Sequence, residues 1–426
     1  MNAYWIRYFP MFAFLGTAIG FVFEGLRLNL TLLVVCISFL LMLLVSGYKV
    51  VNQLNTKLLV WFFIASMPGS IIAIFNGNGF ILSLIQILGV TVFWLVVLMI
   101  FSRVSFSLTS VFSIYLHSAR IAAFVGLVQQ IAYQLGFDLF WDLRWLLIGA
   151  AEPTFSGNFL RVSSFFTEPS YFAVFLMPAL YFSVLRLTNS SRLVNFSSGF
   201  MFILALINTF SAIGFVGFIL CVFVSLEFQL RKLIFPLLLI SFTVVIAFFS
   251  PEVASRFSMD SFANPFEITG AENFSLFNNL INLNISMNMF FDHSLFGVGL
   301  GAYRVHSIDY LSVLSFSSLD LGDLPSDVVE SLTLSDGGSM YLRLVPELGL
   351  VGLMIFFLIF FKRRGKVLTE DEKFISNGAL LFIVIYSIRS GQLIRFEFIY
   401  FCALYSLVRF SPRFRYGNCV LNDRND

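Results

Sequence analysis

Apolar runs of about twenty residues, separated by short polar breaks, recur along most of the 426-residue chain. A helix that crosses a bilayer needs about 17–25 predominantly apolar residues. By that measure the pattern predicts spans at 8–24, 28–47, 58–75, 80–101, 108–135 and 168–187. Four more follow at 233–250, 340–361, 374–389 and 394–409. The run 198–227 is longer, and Asn208-Thr209-Phe210-Ser211 interrupts it, so it reads as one tilted helix or two short ones. One stretch departs from the rhythm altogether. From Pro251 to Ser339 the chain is polar, with eleven acids, two arginines (Arg256 and Arg304) and two of the three histidines (His293 and His306). Loops of this length inside a compact unit are uncommon without a function.

Composition agrees with the pattern. Apolar residues make up 58% of the chain, charged residues 12%, and mean hydropathy is +0.90. Soluble globular chains run at about 45–50% apolar and about 25% charged, so a soluble enzyme and a nucleic-acid-binding domain are both excluded as readings. The expectation is an all-α polytopic membrane protein, a single integral membrane domain over 1–426. The first apolar segment runs straight into a second without a small-residue cleavage site, so no cleavable signal is expected. The four cysteines all lie outside the polar stretch, and no structural disulfide is expected.

Charge placement sets the expected topology. Lys and Arg collect on the cytoplasmic side of a membrane protein, and Lys362-Arg363-Arg364 with Lys366 is the densest cluster. Counting back one span puts 251–339 outside, and one more puts Arg231-Lys232 inside. If 198–227 were a single span, Arg186, Arg192, Arg103, Lys57 and Lys49 would all face outward. Two spans place them inside. The expected arrangement therefore has about 12 transmembrane helices, cytoplasmic termini, a first periplasmic loop at 136–167 and a large periplasmic insert at 251–339 between spans 9 and 10. Every lysine is then cytoplasmic. The cations left outside, or within spans near the outer face, are all arginine: Arg27, Arg120 and Arg144, then Arg161, Arg256 and Arg304, then Arg343, Arg389 and Arg395. Arginine rather than lysine suits a planar, bidentate grip on phosphate or carboxylate, so the set points to an anionic ligand at the outer leaflet. The competing explanation is pairing with Glu168, Glu347 or Glu397.

Two segments read as helices in the headgroup plane. In 137–148 a helix would put Asp138 and Asp142 on one stripe. Over 276–290, Leu276, Leu280, Leu283, Met287 and Phe290 form one face and the asparagines the other. Three constellations carry candidate chemistry. Arg161 to Ala173 reads RVSSFFTEPSYFA, with Glu168 and Pro169 at a helix start. Such a pair suits a capped helix as well as a proton-accepting carboxylate beside an anion-binding arginine. Asp292 to His306 reads DHSLFGVGLGAYRVH. Its glycines would let backbone approach a ligand, Arg304 could back a diphosphate, and His293 beside Asp292 is an acid–base candidate. Ser335 to Gly352 holds Arg343 and Glu347 at the start of a span, where ionisable residues are functional candidates or each other's partners. No metal-ligating pattern is present.

These stretches, taken in order with the break NTFSAIGFVG and with YLRLVPELGLVGL, resemble the bacterial O-antigen polymerases (Wzy-like) of the O-antigen ligase and polymerase superfamily, over about residues 160–361. Two departures stand out. Ser294 lies where the family usually has proline, and no histidine precedes Leu344…Glu347, where ligases carry one. The resemblance implies glycosyl transfer at the periplasmic face of the inner membrane. A glycan on undecaprenyl diphosphate would pass to the terminal hydroxyl of a new lipid-linked repeat unit, without nucleotide, metal or other cofactor. Partners would be that lipid-linked oligosaccharide, membrane lipids, and a chain-length regulator and flippase of the same pathway. The chemistry calls for cations on the leaving diphosphate and a base for the attacking hydroxyl. Arg161, Arg256 and Arg304 are the first candidates for the cations, with Arg120, Arg343, Arg389 and Arg395 behind them. Glu168 is the first candidate base, with Asp292 and His293 as alternates. A ligase acting on lipid A core and a polysaccharide flippase remain the alternatives.

Overall fold

The computed structural model describes residues 11–15, 20–23, 26–29, 35, 37, 63–71, 80–103, 108–147, 152–187, 193–225, 274–313, 315–316, 319–320, 337–360 and 368–410. Helix accounts for 79% of the described residues, which is compatible with an all-α protein. The longer helices are α1 (Phe80–Arg103), α2 (Leu108–Gln134), α4 (Pro169–Leu187), α5 (Phe196–Thr209) and α6 (Ala212–Ser225), with the four-residue α3 (Asp138–Trp141) after α2. Then come α7 (Phe274–Asp292), α8 (Tyr303–Val313), α9 (Met340–Phe360), α10 (Glu370–Arg389) and α11 (Phe396–Phe410). By length and apolar composition, α2 and α4 can each cross a membrane, which points to membrane association.

The first expected span is not one helix. Residues 11–15 are helical, but Gly20–Phe23 pairs antiparallel with Leu26–Asn29. Phe21, Val22 and Phe23 favour extended backbone, and only Glu24 and Gly25 separate the two strands in sequence, the spacing of a tight hairpin. The expected span 233–250, the basic cluster at 362–366 and Arg256 fall outside the described residues. At the far end, α10 begins four residues before the apolar pattern does. Thr369 Oγ1 accepts from the Glu372 amide and the Glu372 carboxylate accepts from the Thr369 amide, a reciprocal cap that starts the helix in polar sequence.

Helix α4 is the centre of the bundle, packed by α5, α6 and α10 and crossed by α2. From Phe172 to Leu185 every one of its side chains is buried. Pro178 lies in its middle and removes an amide from the helical ladder. Tyr115 of α2 bridges the adjacent pair of the ladder: its hydroxyl donates to the Phe175 carbonyl at 2.7 Å and accepts from the Ala179 amide at 3.1 Å. Helices α5 and α6 are separated at Phe210, which adopts the left-handed conformation (φ 45°). Ser211 Oγ then accepts from the Gly214 amide. The run 198–227 is thus two helices broken where the polar tetrapeptide falls. Each has 14 residues, a length of about 21 Å.

The glycine-rich segment after His293 does not form an open cradle. It is inserted into α9. Pro346 and Gly349 break that helix, Gly349 at φ 60° and ψ −176°. An unbroken helix would pair the carbonyls of Pro346 and Glu347 with the amides of Leu350 and Val351. Here those carbonyls accept from Val298 and Gly299 instead, and those amides donate to Ser294 and Leu295. The loop exchanges two helical hydrogen bonds for four of its own. Such contact leaves no room for side chains. A Cβ on Gly297 would lie 2.5 Å from the Glu347 carbonyl oxygen, and one on Gly349 2.4 Å from the Gly297 nitrogen. Gly69 of the helical segment 63–71 meets the same junction, its Cβ position 2.7 Å from the Phe296 carbonyl oxygen. The expectation that these glycines admit a ligand is corrected for Gly297 and Gly299: they admit the Glu347 backbone. Gly349→Ala is expected to cost at least about 1–2 kcal/mol from its dihedrals alone. Thermal unfolding in detergent would register this as a lowered midpoint.

Candidate active site

Helix α2 ends in Gln134 and carries Gln129 buried five residues earlier. Gln129 pins the segment that follows. Its Nε2 donates to the Trp141 carbonyl at 3.2 Å and its Oε1 accepts from the Ser164 amide at 2.7 Å. Ser164, at φ 51°, also donates its hydroxyl to the Ala122 carbonyl at 2.8 Å. Between these anchors the chain makes the two-stranded turn β1 (Phe155–Ser156) and β2 (Phe159–Leu160). Arg161 then donates its amide to Thr154, and Val162 donates to Asn208 at the end of α5. The segment is thereby laid across the top of α2, α4 and α5, with Arg161 and Glu168 at its two ends.

The segment lines a cavity of about 660 Å³. The charged residues lining it are Asp142, Arg144, Glu152, Arg161, Glu168 and Arg389. The tip between α5 and α6 contributes Ser211, and α7 contributes Asn278 and Asn279. Three arginines thus face one space with Glu168 among them. Arg389, at the last position of α10, donates through NH2 to Glu168 Oε2 and through Nε to Ser170 Oγ at 2.7 Å. Ser170 donates in turn to the same Glu168 oxygen at 3.1 Å. The Arg389 guanidinium carbon lies 4.5 Å from the centre of the Tyr171 ring and that of Arg395 5.6 Å from it, within range for cation–π attraction. Arg144 pairs with Asp142 at 2.7 Å, and the hydrogen bonds from Arg144 hold the Asp142 carboxyl below its ordinary value.

The segment 137–148 is not the single interfacial helix expected. It is α3, then a 3-10 turn over Leu143–Trp145, with Asp142 extended between them. Asp142 accepts from the Arg144 amide, and a short side chain that bonds its own neighbouring backbone favours such a break. Asp138 and Asp142 are therefore not on one helical stripe. Helix α7 is amphipathic, but its faces differ from the expected ones. Ile281, Ile285 and Met289 are buried together with Asn278, Asn282 and Ser286, whereas Leu283 and Met287 are exposed. The buried asparagines are satisfied locally. Asn282 donates to the Asn278 carbonyl at 2.8 Å and accepts from the Tyr303 hydroxyl at 3.0 Å. The exposed positions mix apolar Leu283, Met287 and Phe291 with Asn279 and Asn288.

The structure distributes the described site residues among five places. Arg161, Glu168 and Arg389 come together at the cavity. Arg395 sits beside it, donating to Gln392 Oε1 at 2.6 Å and lining a smaller cavity with Glu397 and Tyr171. Arg343 is buried in α9 and pairs with Glu347 at 2.9 Å, so the pairing explanation holds for it. Asp292, His293 and Arg304 line neither cavity. Asp292 accepts from the Tyr310 hydroxyl at 2.6 Å. The His293 ring lies 6.2 Å from that of His306, and burial, with His293 nearby, holds His306 below the ordinary histidine range. Arg304 is exposed on α8. Arg120 is half-buried within α2 and is absent from both linings. Sequence reasoning missed Gln129, Ser170 and Tyr171. The amide pair Gln129-Gln130 inside an apolar helix was the available signal for the first. Nothing in the sequence marks the other two as partners of a residue more than 200 positions away.

No protein-family model matches the chain, and no curated protein sequence matches it significantly.

Proposed function

We propose that the protein is a membrane glycosyltransferase that extends a lipid-linked glycan, of the O-antigen polymerase type. The observation that carries this reading is the meeting of Arg144, Arg161 and Arg389 with Glu168 around one cavity at the N-terminal end of an apolar helix. In this reading the arginines take the charge of the departing lipid diphosphate, where fixed cations act most strongly on a developing anion. Glu168 accepts the proton of the attacking sugar hydroxyl. The hydroxyl oxygen bonds to the anomeric carbon of the donor, the bond from that carbon to the phosphate oxygen breaks, and its electron pair leaves with the diphosphate. The cavity then opens at the periplasmic face of a twelve-span protein of the bacterial inner membrane, both termini cytoplasmic, with α7 lying at headgroup level as one wall.

The direct test is deletion of the gene in its host and a gel of the surface glycan. A single repeat on each core supports the polymerase. Free lipid-linked polymer with bare core points to the ligase, and an unchanged ladder removes the reading. Within the same assay, Arg161→Lys is expected to shorten the ladder because lysine keeps the charge but loses the planar fork. Arg304→Lys is expected to leave the ladder unchanged, since Arg304 is exposed away from the cavity lining.

A further inference from the structure

Glu168 and Arg389 are joined across the cavity, and the way each is held differs. Arg389 ends α10, where the Ser390 amide donates to the Tyr386 carbonyl at 2.9 Å. The next turn is fixed by Arg343, whose NH1 donates to the Gly391 carbonyl at 2.9 Å. The Nε of Arg389 is held by Ser170 and its guanidinium face lies against Tyr171. The guanidinium is therefore anchored from several sides. Glu168 precedes Pro169 at the end of a loop. Its backbone carbonyl accepts from Phe172, but among the described residues its carboxylate is held by Arg389 and Ser170 alone. Both side chains are partly exposed, 40% for Glu168 and 27% for Arg389. An ion pair exposed to this degree is weak, whereas a diphosphate on an arginine fork gains paired, charge-assisted hydrogen bonds.

We infer that the Glu168 carboxylate occupies, in the ligand-free protein, the place on Arg389 that a phosphate oxygen of the lipid-linked donor takes. Donor binding displaces the carboxylate, which turns into the cavity and becomes available to the acceptor hydroxyl. The protein thus exposes its base only when a leaving group is in place, which protects the donor from untimely attack by water. This rests on the proposed glycosyl transfer and adds its order: donor first, acceptor second.

The test uses the full-length protein in lipid nanodiscs and farnesyl diphosphate as the probe, with affinity measured by calorimetry. Glu168→Gln is expected to bind the probe about twofold to fivefold more tightly than the wild type, the factor given up in breaking a partly exposed ion pair. Glu168→Ala is expected to shift affinity in the same direction and serves if the glutamine variant is unstable. Glu152→Gln removes the same charge from the same cavity without touching Arg389, and its affinity is expected to change less. Equal or weaker binding by both Glu168 variants would overturn the inference. So would an equal gain from Glu152→Gln, because general electrostatics would then explain the effect. If wild type and Arg389→Gln alike fail to bind the probe, the glycosyl-transfer reading falls as well. That result is distinct from wild-type binding without a gain in the Glu168 variants.

Discussion

Under the proposed function, Glu168→Gln is expected to reduce glycan polymerisation by about 10²–10⁴-fold, the range for loss of a general base, with the protein still present in the membrane. Two other roles for this residue make different predictions. As a helix cap alone, a glutamine side chain would still accept a backbone hydrogen bond, and the cost would be about 1 kcal/mol or less with polymer nearly intact. As a strut for Arg389, glutamine would still accept from the guanidinium, and Ser170 would still hold Nε. A modest loss would follow. Only a proton-accepting role makes the nearly isosteric change cost orders of magnitude. The readouts are the length of the surface glycan in the host and single-turnover rate with purified protein. A near-normal ladder would remove Glu168 as the base. Combined with tighter binding of farnesyl diphosphate, the expected result is a variant that holds donor better and uses it far worse.

Arg343→Met is expected to destabilise the protein by about 3–5 kcal/mol, enough to deplete it from the membrane. Arg343 is 4% exposed and Glu347 0%. Arg343 bonds Glu347 through Nε, the Gly391 carbonyl through NH1 and Gln86 Oε1 through NH2 at 2.6 Å. Methionine would fill much of the volume and leave Glu347 as a buried charge without its cation, the situation that makes breaking such a pair costly. Arg343→Met with Glu347→Leu removes both charges and is expected to recover part of the loss. Recovery stays partial because Gln86, the Gly391 carbonyl and the Tyr303 amide, which donates to Glu347 Oε1, would lose their partners. Protein level by immunoblot and melting midpoint in detergent would separate the single from the double variant. Equal levels in wild type and Arg343→Met would show that the pair is not a structural tie. The same arginine fixes the turn that carries Arg389 and Arg395, so any surviving single variant is expected to be impaired in polymerisation as well.

The sequence by itself determined several of the described helices and their ends. A continuous apolar run must bury itself in lipid or protein whatever its neighbours are, so α1, α2, α4 and α9 begin and end close to the expected positions. The polar break at Phe210 was also legible, because Asn-Thr-Phe-Ser offers side-chain bonds that compete with the helix. Arg161 and Glu168 stood out as charges in an apolar chain, which cost too much to be placed without a partner or a purpose. Tertiary structure decided which partner each received. Glu168 pairs with Arg389 rather than Arg161, because α10 packs against α4 and delivers its last residue to that end. The glycines after His293 look the same in sequence whether they approach a ligand or another strand of backbone. The break in α9 at Pro346 and Gly349 supplies unpaired carbonyls and amides, and that decides for backbone. Local pattern fixes what a segment must bury, but pairing between residues far apart depends on how the helices pack, and no spacing in a single chain encodes that.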